Sequence, residues 1–240
     1  MPRGAPDWAQ NQAFADVEQG VDVQELSARA SQRYMWGRSG KVIFLDDFSP
    51  DIGRWNLVPE PGTSNITATS GGVFSDKVMA MNLAKVSTAE TKAYLYLPLF
   101  RSEKYLLQQV FSISSNAGYC GGYVEVRKSG NIYRAEWRMN TNASALQLLQ
   151  ADGSFLNIIP SLSIKMDTRA WHFVQLGIDI STGKYMSLQF DAKLPSLGDM
   201  NLYTGAGGSE EYIDIGCTFR NLTGSSLTVW WASVILATLE

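Results

Sequence analysis

The chain has 240 residues, 45% of them hydrophobic, and a formal net charge of −3 at pH 7. That size and apolar content allow one large core without a metal or disulfide staple. The weak negative charge, with Lys and Arg scattered, argues against a nucleic-acid binder, and no run approaches the ~18 apolar residues of a membrane helix.

Residues 1–21 carry Pro2, Gly4, Pro6 and Gly20 and show no period. They read as an extended arm with Trp8, Phe14 and Val17 as anchors for a neighbouring chain; a disordered terminus is the alternative. The opening has no apolar leader-like segment, so synthesis in a cytoplasm is expected, and the chain stays soluble there until assembly. The sequons at Asn65, Asn142 and Asn221 are then chance matches. Asp22-Val-Gln-Glu25 forms a capping box, and Val23, Leu26, Ala30 and Tyr34 recur at helical spacing up to Gly37. This short helix is either a lid on the body or a contact with a partner chain.

From residue 41 the period is two. Val42, Ile43, Phe44 and Leu45 form a buried strand that ends in Asp46-Asp47-Phe48 and a Ser-Pro-Asp turn, with Phe48 and Trp55 placed to pin it. Met79, Met81 and Leu83 alternate with Val78, Ala80 and Asn82; Leu95, Leu97 and Leu99 face away from Tyr94 and Tyr96. Val124 and Val126 oppose Tyr123, Glu125 and Arg127. A two-residue loop at Ser129-Gly130 sets Glu125 opposite Arg134 and Val126 opposite Tyr133. Asp152-Gly153 turns a second hairpin. A third joins 171–180, with Val174, Leu176, Ile178 and Ile180 inward, to 185–191, with Met186, Leu188 and Phe190 buried. Cys120 and Cys217 each fall among apolar neighbours and read as buried free thiols. The last strand, 227–239, is apolar on both faces: Val229, Trp231, Ile235 and Ala237 on one, Trp230, Ala232, Val234 and Leu236 on the other. Such a strand is either central and covered or faces another subunit. Trp230 and Trp231 are accordingly read as assembly residues beside the arm anchors. No boundary appears between 41 and 240, so the organisation expected is an arm and helix over 1–40 and one β-sandwich over 41–240.

Three features make residues 41–240 resemble the concanavalin A-like lectin and glucanase superfamily. These are Leu45-Asp-Asp-Phe48 with Trp55 after a turn, the hairpin from Trp171-His-Phe-Val-Gln-Leu-Gly-Ile-Asp-Ile180 into Tyr185-Met-Ser-Leu-Gln-Phe190, and a C-terminal apolar strand able to lie beside the first. The resemblance implies an all-β, two-sheet jelly-roll sandwich and leaves the function open, since that fold hosts lectins, hydrolases and inert modules. The opening MPRGAPDW also resembles the starts of phage and prophage virion proteins.

The chemistry is weighed on the same residues. A retaining glycosidase needs carboxylates sharing one face. Glu211 and Asp214 point to opposite faces, Glu210 shares the parity of Asp214 but sits beside a glycine-rich loop, and Gly216 stands where a third acid would be wanted. Glu125 and Glu136 have arginine neighbours, as on a solvated, salt-bridged sheet. His172 is the one histidine and reads as a satisfied residue at the edge of the core, which leaves no His-based metal cluster or triad. Asp46 and Asp47 are candidate ligands for a structural calcium, against a turn-capping role; no other cofactor is expected. Tyr94, Tyr96, Tyr123, Tyr185 and Tyr212 have exposed parity and are the candidates for a sugar-stacking platform. The leading expectation is a non-catalytic structural building block of a homo-oligomer, such as a capsid decoration or tail part of a phage virion. A lectin-like carbohydrate-binding module is the alternative, and a glycoside hydrolase the remote one.

Overall fold

The computed structural model describes residues 41–239 apart from 50, 60–63, 72–76, 85–89, 116–117, 168–169 and 224–225. The expected helix and the arm anchors Trp8, Phe14 and Val17 lie outside the described residues. Within them the protein is all-β: two antiparallel sheets form a sandwich.

The first sheet has seven strands. Its order is β12 (Lys184–Phe190), β11 (His172–Asp179), β6 (Lys104–Ile113), β15 (Leu227–Leu239), β4 (Lys77–Leu83) and β3 (Ser64–Ser70), with β1 (Lys41–Asp46) also on β15. The second sheet has eight strands. It runs β10 (Phe155–Ile159), β9 (Ala145–Leu149), β8 (Asn131–Asn140), β7 (Gly118–Lys128), β14 (Tyr212–Asn221), β5 (Thr91–Pro98) and β2 (Asn56–Val58), with β13 (Tyr203–Ala206) also on β8.

The first and last strands are neighbours, as their matching apolar runs suggest. Leu227–Trp231 of β15 pairs with β4, while Val234–Thr238 pairs with β1. The strand is therefore central, which explains its two apolar faces. The expected faces need one correction. Trp231 pairs with Phe111 and Ser233 with Val110, so Ala232 is an extra residue and parity changes there. Val229, Trp231, Val234 and Leu236 consequently share the core between the sheets. Trp231 is a fully buried core residue packed 5.6 Å from Phe111 and 6.1 Å from Trp137, not an assembly surface. Trp230 lies on the opposite face, against Val78, Val110 and Ala232.

The β7–β8 hairpin has the expected register, with Glu125 opposite Arg134 and Val126 opposite Tyr133. Ser129 and Gly130 have φ of 53° and 77°, the double positive of a primed two-residue turn whose twist matches the strands. The β11–β12 hairpin departs from expectation. Gly177 faces Ser187 and Ile178 faces Tyr185, leaving Met186 as a bulge. Past it the parity reverses: Tyr185 is 4% exposed and Met186 44%, the opposite of what simple alternation gives. Cys120 and Cys217 are free and buried, and burial pushes both thiols up. His172 is buried between Asp191 (Nδ1 to Oδ2, 2.9 Å) and the Lys165 carbonyl (Nε2 to O, 3.0 Å), as a satisfied edge histidine should be.

One amide ties the sheets together. Gln109 of β6 reaches through the core, where Trp137 Nε1 donates to its Oε1 at 2.8 Å and its Nε2 donates to the Gly216 carbonyl at 3.2 Å. It has room because Gly122 faces it; a Cβ there would collide with the carboxamide.

Candidate functional site

The site is the outer face of the second sheet, where alternation places polar and aromatic residues opposite the core set. Ile213, Ile215, Cys217 and Phe219 of β14 point inward, as do Val124 and Val126 of β7 and Ala135, Trp137 and Met139 of β8. Tyr212, Asp214, Glu125, Arg127, Arg134, Glu136 and Arg138 therefore face out. Pairing sets Tyr96, Asp214, Glu125 and Arg134 in one row across β5, β14, β7 and β8.

At the β5 end lie three tyrosines. Tyr96 stacks edge-on between Tyr94 at 5.2 Å and Tyr212 at 4.8 Å, and is itself 51% exposed. Arg127 lies 4.9 Å over the Tyr212 ring while its Nε donates to Glu125 at 2.9 Å. Burial, with Tyr94, Asp214 and Tyr212 nearby, pushes the Tyr96 hydroxyl up to about 12, so it remains a hydrogen-bond donor at neutral pH.

Next to these rings is a network built on a glycine. Gly216 pairs with Tyr123, and the Tyr123 ring occupies the space that a Cβ at 216 would take. The ring thus lies over β14, and its hydroxyl meets both oxygens of Asp214 at 3.2 Å. Arg134 covers the ring at 4.3 Å, donates to Glu136 at 2.7 Å and reaches Glu125 at 3.4 Å. Burial first, then the Glu125 charge, raises the Asp214 carboxyl to about 7. Burial likewise raises Glu136, against the pull of Arg134.

The sequence candidates therefore separate. Tyr94, Tyr96 and Tyr212 come together on an accessible surface. Tyr123 shares the face but is 3% exposed beneath Arg134, so its ring offers no stacking surface. Tyr185 points into the core because of the Met186 bulge. Its hydroxyl donates to the Leu149 carbonyl at 2.7 Å and accepts from Glu136 N–H at 3.4 Å. There it fills the gap where the edge of β8 passes from β13 to β9. Glu125 and Glu136 are salt-bridged as expected, but buried rather than solvated. Glu210 and Glu211 are exposed ahead of β14.

Asp46 and Asp47 lie apart from this face, at the end of β1 and just past it. Asp46 is buried, accepting from Phe48 N–H at 2.8 Å and Trp55 Nε1 at 2.9 Å, and Asp47 accepts from Ser49 N–H. Both Asp46 oxygens thus serve the turn, and Phe48 packs 5.8 Å from Trp55. Among the described residues no group of three or more His, Cys, Asp or Glu is placed to hold a metal.

The Tyr123–Asp214–Arg134 network was missed because its members sit on three strands whose order single-strand patterns do not reveal. Gly216 was the available signal: a glycine inside a strand marks a close approach.

No protein-family model matches the sequence, and no curated protein does. Solved structures with the same fold do. A carbohydrate esterase of a Shiga toxin-encoding bacteriophage matches at TM-score 0.57 and 9% identity, over 84% of this chain and 100% of its own. A cellulose induced protein matches at 0.52 and 10%, over 80% and 96%. An endo-acting O-glycanase of the human gut microbiota matches at 0.50 and 12%, over 83% and 100%. The fold is the concanavalin A-like jelly-roll sandwich that the sequence resembles.

Proposed function

We propose that this chain is a non-catalytic carbohydrate-binding module and that the outer face of its second sheet is the binding surface. The observation that carries the reading is the exposed Tyr96, flanked by half-buried Tyr94 and Tyr212, beside a fixed set of charged donors and acceptors. Sugar rings present apolar C–H faces and rims of hydroxyls, and this surface offers aromatic faces with Arg127, Glu125 and Asp214 next to them. The names of the structural relatives, an esterase, an O-glycanase and a cellulose induced protein, agree with carbohydrate as the ligand class. Glu125 is held by Arg127 and Arg134, and Glu136 by Arg134, as the fixed charged groups of a recognition surface.

The test is calorimetry against neutral oligosaccharides chosen from a glycan array. Tyr96→Ala and Tyr212→Ala should each weaken binding about ten-fold, about 1.4 kcal/mol, with little change in melting temperature. Wild type binding no glycan, or Tyr96→Ala binding as wild type, would end the proposal.

A second reading, the homo-oligomeric virion building block, is favoured by Trp171, Phe173 and Trp230 around Val78, Val110 and Ala232 on the outer face of the first sheet. The phage origin of one structural relative agrees with it. A discrete oligomer in native mass spectrometry supports this reading, and a monomer removes it.

A further inference from the structure

Arginines on the outer face of the second sheet differ in what they hold. Arg127 and Arg134 both engage Glu125, and Arg134 also engages Glu136. Arg138, one row further along β8, has no carboxylate within 4.0 Å among the described residues. Glu136 and Glu90 act on it only through space and are engaged elsewhere: Glu136 pairs with Arg134 at 2.7 Å, and Glu90 accepts from the Tyr119 hydroxyl at 3.0 Å and pairs with Lys92 at 3.2 Å.

Arg138 is nonetheless held in place. Its guanidinium lies 3.6 Å from the centre of the Phe155 ring and 4.9 Å from that of Tyr119. Its Nε donates to Gln147 Oε1 at 2.7 Å, and Gln147 Nε2 in turn donates to Asn157 Oδ1 at 2.6 Å. Rings and amide fix the plane of the fork and occupy Nε, which leaves the two terminal nitrogens as the free donors. Beside it, Gly121 pairs with Arg138 and carries no side chain; a Cβ there would collide with the Trp137 carbonyl. The guanidinium is thus half-buried, oriented and next to bare backbone. A cation drawn from water without a directly paired counter-charge is costly, and a planar acid meeting two parallel N–H donors offsets that cost. Burial is also the leading influence on Arg138 and shifts its pKa downward.

We infer that Arg138 is the recognition point for the carboxylate of an acidic sugar, so that the module prefers uronate- or sialate-bearing glycans over neutral ones. The inference rests on the glycan-binding reading of this face. Three strand intervals, roughly 14 Å, separate β5 from β8, and Arg138 lies four residues along β8 from the Tyr96 row, so Tyr96 and Arg138 are roughly 20 Å apart. The ligand is therefore a short oligosaccharide, with one ring on Tyr96 and an acidic residue at Arg138, rather than a monosaccharide.

The experiment compares matched ligands on the full chain: tetragalacturonate against its methyl ester, sialyllactose against lactose, and a sulfated tetrasaccharide. At least one carboxylated ligand should bind about ten-fold or more tightly than its uncharged partner. Arg138→Gln should remove that preference while leaving neutral binding intact, which also reports that the variant is folded. Arg138→Lys, which keeps the charge and loses the fork, should recover only part of it. Tyr96→Ala should weaken both members of a pair alike. Equal affinity within every pair, with neutral glycans still bound, overturns the inference and leaves the glycan-binding reading standing. Binding of no glycan overturns both. A preference for the sulfated ligand alone, lost in Arg138→Gln, refutes the carboxylate assignment.

Discussion

Gln109 offers the sharpest test of how the two sheets are held in register behind the site. In Gln109→Leu, a side chain of similar size, the fully buried Trp137 Nε1 loses its acceptor and the Gly216 carbonyl loses a donor. An orphaned buried donor costs about 1–3 kcal/mol, partly offset by burying a leucine in place of an amide. For a body of this size each kcal/mol moves the midpoint by about 2–4 °C, so a fall of about 3–10 °C is expected by calorimetry. Gly122→Ala should cost a similar amount, about 1–3 kcal/mol, because the new methyl meets a carboxamide fixed at both ends. The two losses involve the same side chain and are not independent. In a Gln109→Ala background, Gly122→Ala should be nearly free, giving a coupling of about 1 kcal/mol or more in urea titrations. Additivity within about 0.5 kcal/mol would show that Gln109 does not occupy this position and would refute the reasoning.

Two further outcomes concern pH. The folded Asp214 pKa of about 7 lies above the ordinary aspartate value of about 4, so the native state keeps a proton that the unfolded chain has released. Stability from this group therefore falls as pH rises from about 4 to about 7. Asp214→Asn should melt higher than wild type at pH 8 and close to it at pH 4, and a lower melting point at pH 8 would refute the assignment. His172 acts in the same direction by another route. Burial opposes its charge, but both ring nitrogens face acceptors, Asp191 and the Lys165 carbonyl, and together they raise its pKa. Its contribution is full below the ordinary histidine range and is lost as pH rises through the raised value. Asp191→Asn should flatten the melting temperature between pH 5 and 8, measured in an Asp214→Asn background to separate the two groups; an unchanged slope would count against the pair.

What the sequence made legible follows from physics that is local to a strand or a turn. Ser129-Gly130 specified its own loop, and with it the pairing of Glu125 with Arg134, because primed turns accept few residues at positive φ. The apolar parity of β7 and β14 located both cysteines for the same reason. The errors come from single extra residues. Met186 and Ala232 each shift the pairing by one, which is enough to send Tyr185 inward and to change which half of β15 faces the core. Nothing in a period-two pattern announces a bulge, because the residue after it has the same composition in either register. The accessible tyrosines were legible because β5 and β14 pair without a shift, from Tyr212 opposite Pro98 to Phe219 opposite Thr91.

Glycines within regular strands set the shape of the site. Gly216 removes a side chain so that Tyr123 can cross β14 to Asp214, and its carbonyl accepts from Gln109 on the core side. Gly122 makes room for that amide, while Gly121, on the other face, leaves the backbone bare beside Arg138. These three glycines lower local β-propensity and forgo packing in two adjacent strands. Here each omission is matched by a directed polar contact or by open backbone next to an oriented guanidinium. Local rules broken together and compensated together are the mark of a site rather than of a scaffold. By contrast, the outer face of the first sheet, with Val78, Val110 and Ala232 under Trp230, follows the ordinary rules of burial. The two outer faces thus differ in kind, and it is the glycine-bearing one that carries the tyrosines, carboxylates and oriented arginines of the proposed sugar-binding surface.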